Sequence, residues 1–349
     1  MLQSIGYAPY LRSKAAEVSA YRTLAPNVKD VCFPIFGLRP WQNANHLRKT
    51  IEKIVEAVGP RPFGLGLDDT AFGQGSSKPA QAEFDALFNS YRGYSGYYDF
   101  VSEIENAIPV LVPANSSDAL LIQLGNAQSL DRGLVIHQRH NANVPISNYL
   151  QQFSDLPSDT IFVVDVGWAP RNMLQMAAWA GSQIQRIIEV AGDAEIVVMG
   201  SGFPDSFSHI VGNDDVTIIE RQLFAQIRQV YQQANLTFGD WASTRLPQSG
   251  GGGKIPSRID IPTLTSWSIF RSDPDNDLGY GSLLADILGH PAYLACPDCY
   301  GKQLVAATNG SGEGVKGTHK ATVARINMHL TIHSEFDGAA LIYEEDYVD

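Results

Sequence analysis

The stretch that decides the fold is TIFVVDVGW, residues 160–168. Val, Ile and Phe fill it without the polar–apolar alternation of a half-exposed strand, so both of its faces are buried, as in a parallel sheet covered by helices. One charge, Asp165, stands near its C-terminal end. An unpaired carboxylate in a dry core costs on the order of several kcal/mol, so Asp165 needs a cation or water beside it. The rim of a barrel mouth supplies either, and the reading places Asp165 there, facing a wet cavity.

Seven other runs have the same character: GYAPY (6–10), VCFPIFGL (31–38), FGLGLDD (63–69), IPVLVPA (108–114), GLVIHQR (133–139), EIVVMGSG (195–202) and LTFGDWA (236–242). Helical spacing of apolar residues lies between them, at 13–24, 44–58, 80–105 with an interruption near Gly93 and Gly96, 116–126, 146–154, 171–190 and 218–234. In 171–190, Met173, Met176, Ala177, Ala180, Ile184, Ile187 and Ile188 share one face. Pro170 sits where a first-turn proline is tolerated.

Strands and helices that alternate in units of roughly 25 to 45 residues predict an α/β fold, a (β/α)8 TIM-type barrel. A Rossmann fold is disfavoured, because no G-x-G-x-x-G follows the first strand. Residues 1–245 are expected to form the barrel, and 246–349 a C-terminal extension packed on it. That extension opens with a loop, QSGGGGKIPSR (248–258), followed by an added strand in IPTLTSWSIFRSD (261–273). GYGSLLADILGH (279–290) is expected to supply the eighth helix, and a last helix or strand lies around 321–335.

The 44% hydrophobic and 18% charged residues describe a globular chain, and no apolar run approaches the ~20 residues of a membrane span. The N-terminus lacks the features of a secretory signal, so a cytoplasmic protein is expected. A net charge of −12 disfavours nonspecific nucleic-acid binding. Three cysteines, Cys32, Cys296 and Cys299, are too few for a disulfide framework.

Function in such barrels gathers at the C-terminal ends of the strands. That rule selects Lys14 and Glu17 after the first strand, Asp68 and Asp69 after the third, and His137, Arg139 and His140 at the fifth. It further selects Asp165 at the sixth, Ser201 at the seventh and Asp240 at the eighth. Each has a plain structural alternative. Asp165 can pair with Arg139, Asp68 or Asp69 can cap a helix, and FGDW can be an ordinary turn. GSGFPDS (200–206) can cradle phosphate on backbone amides or simply make a tight turn. Arg139, Arg258 and Arg271 offer forked donors to a phosphate or carboxylate, or salt bridges in an acidic protein.

His137 and His140 with Asp165 and Asp240 would suit a divalent ion, but no HxH opens the first strand and no HExxH exists, so neither metal nor cofactor is expected. Cys296-Pro297-Asp298-Cys299 has the spacing of a zinc knuckle or a redox pair, or is two reduced thiols in a loop. A zinc site would need His319, or His329 and His333, to complete it.

YAPYLRSKAAEVSA (7–20) resembles the opening of the phage-associated "beta protein" family, with its Tyr-x-Pro, basic pair and Glu. IPSRIDI (255–261), WSIFR (267–271) and Gly279-Tyr280-Gly281 resemble that family's C-terminal pattern. Ala16 stands where a glycine is expected. The resemblance implies a setting of phage–host biology and assigns no reaction, while adding weight to Lys14, Glu17, Arg258 and Arg271.

The function expected is binding, with or without hydrolysis, of a small anionic or nucleotide-like ligand at the mouth. Lys14, His137, Arg139, Ser201, Asp240, Arg258 and Arg271 would bind it, and Glu17 and Asp165 would serve as the acid/base groups. The competing expectation is a non-catalytic scaffold that recognises or inhibits a protein partner.

Overall fold

The computed structural model describes residues 5–75, 78–114, 116–140, 156–246, 255–310 and 312–335. Barrel strands β1 (Ala8–Arg12), β2 (Ile35–Leu38), β3 (Phe63–Leu67), β4 (Ala107–Pro109), β5 (Leu134–Arg139), β6 (Thr160–Trp168) and β7 (Glu195–Ser201) follow in chain order. After β8 (Gly212–Thr217), which lies outside the barrel, β9 (Leu236–Asp240) is the eighth barrel strand.

All eight pair in parallel in the order β4-β3-β2-β1-β9-β7-β6-β5. A parallel bridge between Val110 and Val135 joins the two ends of that sheet, so the ring closes. The fold is the expected (β/α)8 barrel.

Strand parity builds two cores from the same runs. Ala8, Tyr10, Ile35, Val110, Val135, Ile161, Val163, Val197 and Met199 fill the barrel axis. Their alternates, among them Leu11, Phe36, Ile136, Phe162, Val164 and Val198, face the helices. This is why the strands read as continuously apolar. Asp165 has the parity of Ile161 and Val163, so it points inward at the top of the axis.

The helices are α1 (Ala15–Arg22), α2 (Pro26–Val31), α3 (Arg48–Val58), α4 (Pro79–Ala86), α5 (Ser95–Ser102), α6 (Ser117–Leu130), α7 (Ala177–Val190) and α8 (Glu220–Val230). The expected helix at 146–154 lies outside the described residues.

The C-terminal part departs from expectation in one element. β10 (Arg258–Pro262) and β11 (Ser266–Arg271) form a hairpin that pairs antiparallel with β8. Segment 279–290 gives only a 3-10 turn and the four-residue α9 (Leu284–Ile287), too short to cover a barrel strand. After α10 (Pro291–Ala295) and α11 (Tyr300–Ala306), α12 (Thr318–Ser334) takes the place of the eighth helix. The Asn327 side chain donates to the Ala20 carbonyl of α1 at 3.0 Å, and the His333 ring stacks on Phe238 of β9 at 5.6 Å. Among the described residues, no helix is long and apolar enough to cross a membrane.

Close strand contact inside the axis depends on small residues. A Cβ on Gly239 would meet the Ala8 carbonyl oxygen and Val197 Cγ1 at 2.7 Å each. Gly239→Ala is therefore expected to cost about 1–3 kcal/mol in urea unfolding, whereas Gly96→Ala, with open space around it, should stay within about 0.5 kcal/mol.

Candidate functional site

The C-terminal ends of the strands enclose a cavity of about 490 Å3. Its wall is aromatic, from Tyr10, Phe88, Tyr94, Trp168 and Trp241, and its polar groups include Asp69, Thr70, His137 and Arg139. Asp165 is 0% exposed and does not line it. The expected rim position is thus corrected: Asp165 lies under the cavity floor, satisfied by protein donors instead of water.

Those donors come from β5, from β6 and from the residue that follows β9. His137 Nε2 lies 2.8 Å from Asp165 Oδ2, the Gly167 amide donates to Oδ1 at 2.8 Å, and the Trp241 indole N–H donates to the carboxylate at 3.1 Å. Arg139 Nε stands 3.6 Å away. The sequence places these donors by parity: His137 and Arg139 both point inward from β5, in register with Val163 and Asp165 of β6. Gly167 has φ +80°, open to glycine alone without strain, and the strand irregularity there brings its amide back onto Asp165.

Burial, aided by the Arg139 charge, lowers the His137 pKa despite the Asp165 hydrogen bond, so the imidazole is neutral at pH 7. For Arg139, burial works against the charge, yet Tyr10, Asp165 and Asp69 hold its pKa above the ordinary value. The guanidinium lies 5.0 Å from the Tyr10 ring centre and 5.8 Å from that of Trp241. Burial pushes the Tyr10 hydroxyl up to about 12, with Arg139 opposing.

The other selected residues stand outside this cavity. Glu17 is buried on α1, where it accepts the Arg12 amide at 2.5 Å; burial raises its pKa while Arg12 and Lys14 pull it down. Lys14, half-buried beside it, has its pKa lowered by burial first and by Arg12 second. Asp68 accepts from the Thr70 amide at 3.1 Å, which is the capping alternative. Arg258 pairs with Asp260 at 2.8 Å and covers the Phe207 ring at 3.5 Å, and Arg271 donates to the Ile210 carbonyl at 2.5 Å.

At the phosphate-cradle candidate, the Ser201 hydroxyl donates to the Thr244 carbonyl at 2.5 Å. The Gly202 amide donates to the buried Glu220 carboxylate at 2.6 Å. A carboxyl group of the chain itself therefore occupies the anion position there. Sequence reasoning missed Glu220 because it reads as the polar first turn of α8.

Asp240 faces outward from β9 and accepts from Tyr7 Oη at 2.5 Å and from the Ala242 amide at 2.7 Å, with His329 Nε2 at 2.7 Å. Although burial opposes it, His329 and these donors hold its carboxyl below the ordinary value. His333 completes a buried trio whose ligand-type atoms lie within 4.8 Å of one another. A metal there would have to displace the His329–Asp240 bond and sit next to the Arg221 cation, whose Nε donates to His333 Nδ1 at 3.0 Å. The donor set fits an internal ion network better than a cation site.

The Beta protein family pattern matches residues 7–334, from β1 to the end of α12. The chain belongs to that family. Protein beta of Enterobacteria phage P4 is 24% identical over 347 residues, covering 97% of this chain and 95% of the relative. The match includes all eight barrel strands and α12, so the Beta protein unit extends well beyond the cavity-forming part of the chain.

Two measurements test this geometry in the Beta protein family member. Asp165→Asn leaves a buried amide among donors matched to a carboxylate, and should cost about 2–4 kcal/mol in urea unfolding; a loss under about 0.5 kcal/mol would contradict the network. Burial raises the Glu220 carboxyl from 4.5 to about 7. The fold thus favours its protonated form, and that contribution, full below 4.5, is lost as pH rises through about 7. Glu220→Gln, which cannot ionise, is expected to gain in Tm relative to the wild type as pH goes from about 5 to 8.

Proposed function

We propose that this Beta protein family member binds a small anionic ligand at the barrel mouth, with Arg139 as its charge partner and the aromatic wall as its stacking surface. The observation that carries this reading is the state of Arg139. It is a permanent cation at the cavity, and among the described residues its carboxylate neighbours, Asp165 and Asp69, come no nearer than 3.6 Å. Those contacts are longer than hydrogen bonds, and the Tyr10 hydroxyl takes one of the guanidinium N–H donors, so the fork is oriented without being saturated.

A volume of about 490 Å3 lies in the usual range for small-molecule sites. Tyr10, Trp168 and Trp241 beside one cation suit a flat ring bearing an anionic group, the chemistry of a nucleotide. Asp165 acts here as a positioning residue: it fixes His137, whose neutral ring faces the ligand. An imidazole held by a carboxylate is also what a hydrolytic step would need, and the Asp165–His137 pair is the feature that favours that secondary reading. Recognition of a protein partner rests on Phe72 and Tyr91, which are 51% and 64% exposed.

The test is a thermal-shift and calorimetric titration with nucleoside monophosphates. Free ligand at about 100 times Kd should stabilise the fold by about 2.7 kcal/mol. Arg139→Gln should weaken binding by roughly tenfold or more, and Arg258→Gln, outside the cavity, should leave it unchanged. Absence of stabilisation by every nucleotide and by simpler aromatic anions would overturn the proposal and favour the protein-recognition reading.

A further inference from the structure

The CxxC motif, unused by the mouth, lies across the turn between α10 and α11. Cys296 immediately follows α10 and Cys299 immediately precedes α11; the Cys296 thiol donates toward the Cys299 sulfur and toward the Pro297 carbonyl, the latter at 3.6 Å. A zinc knuckle needs further ligands. Among the described residues, the one cluster of three metal-ligating groups is Asp240, His329 and His333, and it contains neither cysteine. Two of the histidines that would have completed a zinc site are therefore engaged elsewhere, His329 with Asp240 and His333 with Arg221.

The two thiols are unequal. Cys296 is 4% exposed, whereas Cys299 is partly open to solvent. The Lys302 amide at the start of α11 points at the Cys299 sulfur, and the Gly301 amide and Thr331 hydroxyl, which donate to Asn327, lie beside it. The hydrogen bond from Cys296, foremost, lowers the Cys299 pKa, and the same bond together with burial raises that of Cys296. An accessible thiolate next to a buried thiol is the asymmetry that disulfide exchange requires.

We propose that Cys296 and Cys299 form a reversible dithiol–disulfide site, with Cys299 as the nucleophile and Cys296 as the resolving thiol. The oxidant is a low-molecular-weight disulfide. The Cys299 thiolate attacks one of its sulfurs and expels one thiolate, leaving a mixed disulfide. Cys296 gives up its proton to that thiolate and attacks Cys299 Sγ, expelling the second thiolate, which takes a proton from water. The chain loses two electrons and two protons, and the small disulfide becomes two thiols.

The site is coupled to the barrel through α12. Thr331 belongs to that helix, and the Gly301 amide donates to Asn327 Oδ1 at 2.8 Å. Oxidation thus acts on the helix that bonds Asp240 through His329.

The experiment exposes the full native chain to excess oxidised glutathione at neutral pH, quenches with acid, and counts thiols under denaturing conditions. The expected result is a fall from the three cysteines of the chain to one free thiol, a Cys296–Cys299 cross-link in the peptide map, and full reversal by dithiothreitol. Cys296→Ser should accumulate one glutathionyl group on Cys299. In Cys299→Ser, Cys296 should react at least roughly tenfold more slowly than Cys299 does in Cys296→Ser. Three thiols retained by the native chain would overturn the site, and faster modification in Cys299→Ser would overturn the assignment of roles. Stoichiometric zinc that copurifies with the wild type and is lost in either serine variant would also overturn it.

Discussion

A carboxylate on the barrel axis must be solvated by something, and in this chain the protein supplies that solvation. Asp165 accepts from an indole and a backbone amide, holds an imidazole within hydrogen-bond distance and stands 3.6 Å from a guanidinium. Each of those groups is thereby fixed in direction. His137 turns its ring to the cavity, Trp241 lines its wall, and Arg139 lies against two aromatic faces. The mouth is a consequence of how one buried charge is accommodated, not a hollow to which polar groups were added.

The sequence carried the barrel clearly and the site only in part. Runs such as TIFVVDVGW and EIVVMGS are buried on both faces, which only a covered parallel sheet allows. β4 is shorter than its apolar run, IPVLVPA, suggests; Pro109 has no N–H to extend the ladder. The alternation that sends Tyr10, His137, Arg139 and Asp165 inward was present in the letters, but Trp241 required knowing that the chain turns back after Asp240. Arg258 and Arg271 carried the same positive charge as Arg139, and nothing in the sequence showed that their partners were a local carboxylate and a carbonyl.

α12 was the harder element to read. Its buried positions include Arg325, Asn327, His329 and His333 beside Val323, Ile326 and Leu330, so its polar residues do not mark a solvent face. Arg325 meets Asp260 at 2.8 Å, Asn327 meets α1, and His329 meets Asp240. A helix buried through polar contacts of this kind hides its periodicity, and the more apolar segment at 279–290 drew the assignment instead.

The closure of the ring is uneven. Seven of its strand pairs carry parallel ladders of two or more residue pairs, whereas among the described residues β4 and β5 meet through the Val110–Val135 bridge and the Leu111 amide bonded to the Val135 carbonyl at 2.8 Å. Cooperative opening starts where the fewest backbone bonds must break together. That gap in the stave-work adjoins Val110, Leu111 and Val112, which also wall the mouth. Amide exchange in this part of the barrel would then begin at a flank that walls the cavity, so breathing of the scaffold and reshaping of the mouth become one motion.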